Sequence, residues 1–290
     1  MLQALFGAPA VRRLMGAAAA AVVLSGPASA QAQETDTDGA TQRFLLSAPP
    51  REAPAVGEEV YGPVAEFLSR STGHRFIYEH PDNPLLYWEN LQRNRYDVVF
   101  DESHFISWLI LNHQHLPLVR VSGALIYVYF VNEAGDQPST LADFAGRTVC
   151  GQSPPNQGTL ALYERFENPF RLPHLVPMEG WDQIYRGVSG NDCVAGIMPL
   201  ELYERMNSGD KHPVYMTRPL PNQTFSASRR LSPELKSRIT AALLSPEGRE
   251  ATAPLRELYN IGEFERAFEV EYIGHDRILT QNYPFQLFSE

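Results

Sequence analysis

The chain has 290 residues, 43% of them hydrophobic and 20% charged, with a formal net charge of −10. That composition excludes a disordered or fibrous chain and supplies core for one large or two medium domains. The acidic balance argues against nucleic acid and anionic membrane surfaces as partners, while leaving room for a local positive pocket.

Arg12 and Arg13 precede an apolar run, Leu14 to Leu24, and Pro27-Ala28-Ser29-Ala30 offers a small-residue cleavage site. Residues 1–30 therefore read as a secretory signal peptide, with a run too short to span a bilayer. Without its two arginines, 22 basic residues face 34 acidic ones, a net charge of −12. Residues 31–42 read as a flexible polar leader. Export sets the redox context for the two cysteines, Cys150 and Cys193. In an oxidising compartment such a pair reads as a disulfide. The competing reading, a thiolate pair gripping a soft metal or metalloid, lacks an identifiable third ligand.

In chain order, Arg43 to Ser47 predicts a strand stopped by Ala48-Pro49-Pro50. An amphipathic helix over 58–71 follows, with Val60, Val64, Phe67 and Leu68 on one face and Gly73 as its end. Arg75 to Tyr78 reads as a strand and Pro84 to Asn94 as a helix. Tyr96 to Phe100 reads as a strand buried on both faces. It runs into Asp101-Glu102-Ser103, a cluster suited to capping a helix over 104–112. This βαβαβα order predicts a parallel sheet flanked by helices. Leu116 to Arg120 and Ala124 to Val131 break it, and Ile126 to Phe130 reads as a crossover out of the first lobe. A second βαβαβα block runs from Thr148 to Met206, with Cys150 and Cys193 on its strands. A loop of about 40 residues between them would contribute roughly 3–4 kcal/mol once closed. Ser232-Pro233-Glu234 and Ser245-Pro246-Glu247 each start a closing helix. The Phe- and Tyr-rich remainder to Glu290 is expected to pack on a lobe.

Several segments carry a resemblance: Pro49-Pro50-Arg51-Glu52, Tyr61-Gly62-Pro63, and Tyr96-Asp97-Val98-Val99-Phe100-Asp101 with His104-Phe105. Leu141-Ala142-Asp143-Phe144-Ala145-Gly146-Arg147-Thr148-Val149 and Leu244-Ser245-Pro246-Glu247-Gly248 complete the set. In their order and spacing these resemble the phosphonate/phosphate/phosphite-type periplasmic substrate-binding proteins of ABC transporters. The resemblance implies an α/β, two-lobed periplasmic-binding-protein-like fold of the second topology. Each lobe would be a mostly parallel sheet flanked by helices, with two interlobe crossovers and the ligand in the cleft. Lobe 1 would comprise residues 43–131 plus 224–290, and lobe 2 residues 138–222. The lobes of such proteins close by a hinge motion. Where the family carries a Ser/Thr-rich anion-binding turn, this chain has Gln152-Ser153-Pro154-Pro155-Asn156-Gln157-Gly158-Thr159, whose two prolines offer no N–H.

The expected ligand is a small polar, anionic solute, phosphonate- or phosphate-like or another oxyanion. Ser47, Pro50, Arg51, Asp101, Ser103 and His104 would face it from the first lobe. Ser153, Asn156, Gly158, Thr159 and Met198 would face it from the second, and Tyr127 and Tyr129 from the crossover. Each has a plainer reading. The amides near Asn156 to Thr159 suit an oxyanion, or Asn156 or Ser153 simply caps that helix. Arg51 offers a bidentate clamp, or a surface pair with Glu52 or Glu58. Tyr127 and Tyr129 share a face and contact ligand or pack between lobes. His104 beside Asp101 and Glu102 is a weak metal signal. His113 and His115 read as solvated, and Trp88, Trp108 and Trp181 as core. No nucleophile elbow, zinc-protease motif or phosphate loop is present, so neither catalysis, cofactor nor metal is expected.

The function expected is a periplasmic, monomeric solute-binding protein that hands its ligand to an ABC permease and binds no nucleic acid. A sensor module reporting to a membrane receptor, an enzyme on the same scaffold and a thiophilic-oxyanion binder are the alternatives.

Overall fold

A computed structural model describes residues 42–135 and 137–282. The expected signal peptide and the expected leader up to its last residue lie outside the described residues, as does 283–290.

The first block follows the predicted order. Strands β1 (Arg43–Ser47), β2 (Arg75–Tyr78) and β3 (Val98–Asp101) alternate with helices α1 (Pro54–Thr72), α2 (Pro84–Gln92) and α3 (Ser103–His113). β1 is parallel to both β2 and β3. α1 stops at Gly73, whose φ of 72° suits a residue without Cβ and whose N–H bonds Ser69 O. β4 (Leu116–Val121), β5 (Ala124–Leu125) and β6 (Tyr127–Asn132) come next with no helix between them.

The second block is β7 (Thr148–Gly151), α4 (Gln157–Tyr163), β8 (His174–Pro177), α5 (Trp181–Ser189), β9 (Ala195–Pro199) and α6 (Leu200–Met206). Strands β10 (Lys211–Met216), β11 (Leu220–Pro221) and β12 (Thr224–Ala227) lead back to the first block. Helices α7 (Pro233–Leu243), α8 (Pro246–Ala251) and α9 (Ala253–Tyr259), strand β13 (Phe264–Arg266) and helix α10 (Arg277–Asn282) follow. Ser232 and Ser245 accept the N–H groups of Leu235 and Gly248, the caps that their Ser-Pro-Glu starts predicted.

The strands form two main sheets. One has six strands in the order β13-β4-β12-β3-β1-β2, the other five in the order β10-β6-β9-β7-β8. Each has a parallel trio, β2-β1-β3 in one and β8-β7-β9 in the other, extended by antiparallel strands. This is the two-lobed α/β architecture. The long aromatic strand β6 pairs with β9 and β10 and so belongs to the five-stranded sheet. The chain passes between sheets at β5 and returns at β11, and these two segments pair with each other, Leu220 opposite Leu125. Thr217 and Tyr127 extend that tie, the Tyr127 N–H donating to Thr217 Oγ1 at 3.0 Å and the Thr217 N–H to Tyr127 O at 2.9 Å.

The cores follow from the buried strands. Val98, Val99 and Phe100 are fully buried, and Phe100 packs on Phe225 with ring centroids 4.6 Å apart. Burial of one such ring is worth about 3 kcal/mol. Cys150 and Cys193 are bonded, tying β7 to the segment just before β9. The chain end packs as expected as far as it is described: Leu279 of α10 is buried among Trp88, Phe105 and Leu160. Trp88 and Trp181 are buried and Trp108 partly so. His115 corrects its expectation. It is only 3% exposed, with Ser226 Oγ and Asn94 Oδ1 each 3.2 Å from its ring nitrogens. His113 is half-buried, its Nε2 donating to Gln92 O at 3.0 Å. Among the described residues no helix is long and apolar enough to cross a membrane.

Candidate functional site

A cavity of about 330 Å³ lies between the two sheets. Pro49 to Pro54, His80, Asp82, Asn83, Pro84 and Tyr87 wall it from the first block, with Asp101, Glu102, His104 and Phe105 from the β3–α3 junction. Gln152, Ser153, Pro155, Asn156 and Pro177 to Glu179 wall it from the second. These are turns at the carboxyl ends of parallel strands, where open α/β sheets hold their ligands. The volume is at the low end of small-molecule sites, about 300–1,000 Å³.

Arg51 lines it. It is only 6% exposed, not the surface arginine of its plainer reading. Its Nη2 donates to Glu102 Oε1 at 2.9 Å and to Asp101 Oδ1 at 3.3 Å. Its neighbours are therefore the two acids of the β3–α3 junction rather than Glu52 or Glu58. Those acids raise its pKa further against the opposing cost of burial, so it stays a cation at every working pH.

Asp101 also accepts Tyr87 OH at 2.6 Å and the Glu102 N–H at 2.7 Å. Burial nevertheless pushes it up to about 7, with Arg51 and the hydrogen bonds pulling the other way. The expected capping role thus falls to Asp101 alone, and only for the residue next to it. The Glu102 side chain makes no cap. It turns across the cleft, accepting Tyr127 OH at 2.8 Å and the Gln157 N–H at 3.3 Å. All of its hydrogen-bond partners are donors.

Further contacts cross between the blocks. Gln157 Nε2 donates to Ser103 Oγ at 2.9 Å. His104 Nε2 donates to Pro155 O at 2.9 Å, since a carbonyl only accepts. Burial holds His104 down at about 4, so it is neutral at physiological pH. Its Nδ1 has no hydrogen-bond partner. Arg51 Nη1, both oxygens of Glu52 and Tyr61 OH are likewise buried without partners. Burial pushes Glu52 up to about 7.

Of the residues expected at the ligand, Pro50, Arg51, Asp101, His104, Ser153 and Asn156 wall the cavity. The others stand behind it. Ser47 Oγ donates to Glu79 O at 2.8 Å, and Ser103 meets Gln157. Met198 is buried within β9 opposite Val128. Thr159 Oγ1 donates to Gln152 O at 2.7 Å, and its N–H is capped by Asn156 Oδ1 at 3.2 Å. Gly158 is small for packing: a Cβ there would lie 2.4 Å from the Tyr127 ring. Tyr127 and Tyr129 do share a face, and Tyr129 OH donates to Gly158 O at 2.8 Å. Glu52, His80, Asp82, Tyr87, Gln152 and Glu179 wall the cavity without having been singled out as ligand contacts. The Pro-Pro-Arg-Glu turn already placed Glu52 beside Arg51, and Gln152 opens the turn that stands where the family binds its anion; the others had no local signal. Among the described residues no group of three or more His, Cys, Asp or Glu is placed to hold a metal ion.

Residues 46–272 match the family of ABC-transporter phosphonate periplasmic substrate-binding proteins. The chain belongs to that family. By sequence, no curated protein matches this binding protein. Its fold is similar to that of PhnD1 from Prochlorococcus marinus, solved with methylphosphonate, at a TM-score of 0.68 and 12% identity over 83% of this chain and 98% of that one. A Xanthomonas citri protein bound to ATP is similar at a TM-score of 0.63 and 13% identity, over 86% and 100% of the two chains. A binding-protein component of a phosphonate ABC transporter from Pseudomonas aeruginosa gives 0.63 and 11%, over 78% and 82%. At these identities the likeness is one of fold. It agrees with the two βαβαβα blocks and the paired crossovers, and the family is that of a transporter's binding component in the periplasm.

Proposed function

We propose that this binding protein captures one small polar solute in the cavity between its sheets and presents it to an ABC permease. The observation that carries the reading is the position of the cavity: turns from both blocks wall it, with a buried arginine in its lining. The six-stranded sheet forms the core of one lobe and the five-stranded sheet that of the other, with the β5–β11 pair as hinge. Contact between solute and both lobes then favours the closed state, which the permease reads. Arg51, His104, Ser153 and Asn156 touch the solute.

The protein acts as a monomer, exported by its N-terminal signal peptide, with no catalytic step and no nucleic-acid partner. The acidic charge and the absence of any nucleophile–base motif support this reading. Thermal-shift screening of phosphonates, phosphite, sulfonates, carboxylates and amino compounds tests it. A true ligand at a hundredfold excess over its dissociation constant adds about 2.7 kcal/mol of stability. If no small solute raises Tm, the reading fails.

A further inference from the structure

We propose that Glu102 sets the charge class of the ligand: its carboxylate is the anion of the cleft, and the solute taken up carries no dianionic phosphonate or phosphate group. The inference rests on the cavity being the solute site.

The donors decide it. An oxyanion entering the cleft needs buried hydrogen-bond donors, and three of those available are held by one side chain. Glu102 accepts from Arg51 Nη2 at 2.9 Å, Tyr127 OH at 2.8 Å and the Gln157 N–H at 3.3 Å. Arg51 comes from the first block, Tyr127 from strand β6 of the five-stranded sheet and Gln157 from the second block. The four residues are between 0% and 6% exposed, so no bulk water screens the contacts. Tyr87 OH is likewise committed to Asp101, and Thr159 Oγ1 to Gln152 O. Arg51 Nη1 has no partner but is itself buried, which leaves the solute the neutral groups of Ser153 and Asn156 on the wall, enough for a carbonyl or hydroxyl and too little for a dianion.

The wall charge points the same way. Asp82, Glu102 and Glu179 line the cavity with Glu52 and Asp101, the last two pushed up to about 7 by burial, against the guanidinium of Arg51. His104 adds a neutral ring whose Nδ1 is an acceptor. A dianion here meets like charges, an arrangement that costs several kcal/mol per close pair. A neutral or amino-bearing polar solute meets none of that cost. Glu102 therefore does for the closed cleft what an anionic ligand would otherwise do: it draws donors from both blocks onto one point.

The test is titration of the wild type, E102S and E102Q with inorganic phosphate and methylphosphonate, followed by calorimetry and thermal shift. The wild type is expected to show no saturable binding of either. E102S, which frees the donors and removes the charge, is expected to bind at least one of them saturably, about a hundredfold more tightly than the weakest binding the titration detects. E102Q keeps the side-chain shape without the charge and is expected to gain a smaller part, so the test survives if E102S does not fold. Saturable phosphate or methylphosphonate binding by the wild type overturns the inference, as does a folded E102S and E102Q pair with no gain. If the wild type binds methylphosphonate, the cavity remains the solute site and only the assignment to Glu102 falls. If no small solute of any class shifts the wild type, the reading of the cavity falls and takes this inference with it.

Discussion

Glu102 ends the β3 turn of one sheet, and Gln157 begins α4 beside the other; the carboxylate of the first accepts the backbone N–H of the second at 3.3 Å. With Ser103 to Gln157 and His104 to Pro155, three consecutive residues of one lobe bond across to the other. The cavity sits beside this seam. The two blocks are therefore joined by groups of the β3–α3 junction, whose acids Arg51 neutralises.

Replacing Arg51 exposes how much that neutralisation is worth. Arg51→Met leaves Asp101 and Glu102 buried with no counter-charge, and the loss of a buried partner costs about 3–5 kcal/mol. Arg51→Lys keeps the charge but on a shorter stem that does not carry a nitrogen to the place of Nη2, which bonds both carboxylates, so it is expected to fall between the two. Urea unfolding of the three proteins checks the order.

Glu52 supplies a pH dependence of opposite sign to the usual carboxylate. Burial raises it from 4.5 to about 7, so the folded chain holds a proton that the unfolded chain has released. Its contribution to stability thus falls as pH rises from 4.5 to about 7 and is fully lost above. Glu52→Gln is expected to match the wild type in acid and to exceed it by about 3 kcal/mol near pH 8. His104, held at about 4 against its ordinary 6.5, acts in the other direction, losing stability as pH falls through that span. The difference between wild type and E52Q unfolding curves isolates the glutamate.

The disulfide closes a loop with a sequence separation of 43 residues. Cys193→Ser removes it, and by the chain-entropy account costs roughly 3–4 kcal/mol. Gly187 of α5 packs directly on Cys150, where a Cβ would lie 2.7 Å from Sγ, so the loss is expected to loosen α5 first. Hydrogen exchange of its amides under reducing and oxidising conditions checks this.

Gly158→Ala places a methyl against the buried Tyr127 ring. The ring must move, which breaks its hydrogen bond to Glu102 as well as its packing. Overpacking of this kind costs about 1–3 kcal/mol, and thermal unfolding is expected to show it.

What could be read from the sequence was local. Both βαβαβα blocks, the helix stop at Gly73 and the Ser-Pro-Glu helix starts depend on neighbours a few residues apart, and each formed as its pattern dictated. The pairing of Cys150 with Cys193 followed from there being only two. The site was legible only in part. Arg51 and His104 lie on turns that strand ends expose, and they wall the cavity. Gly158 and Thr159 lie in the first turn of α4, where one packs against Tyr127 and the other bonds Gln152. Glu102 looked like part of a helix cap because its neighbours fit a cap. Its partners lie 51, 25 and 55 residues away in sequence, and only the folded chain brings them to it. His115, solvated by its polarity, is buried because Ser226 and Asn94 satisfy both ring nitrogens.

The central claim is that the cavity between the sheets holds the solute. Ser153→Trp fills that cavity from the β7–α4 turn without touching Arg51's ion pairs. Native mass spectrometry of protein released gently from the periplasm is expected to show a small-molecule adduct on the wild type and none on the folded S153W protein. An adduct of the same mass, retained at the same occupancy by S153W, contradicts the account.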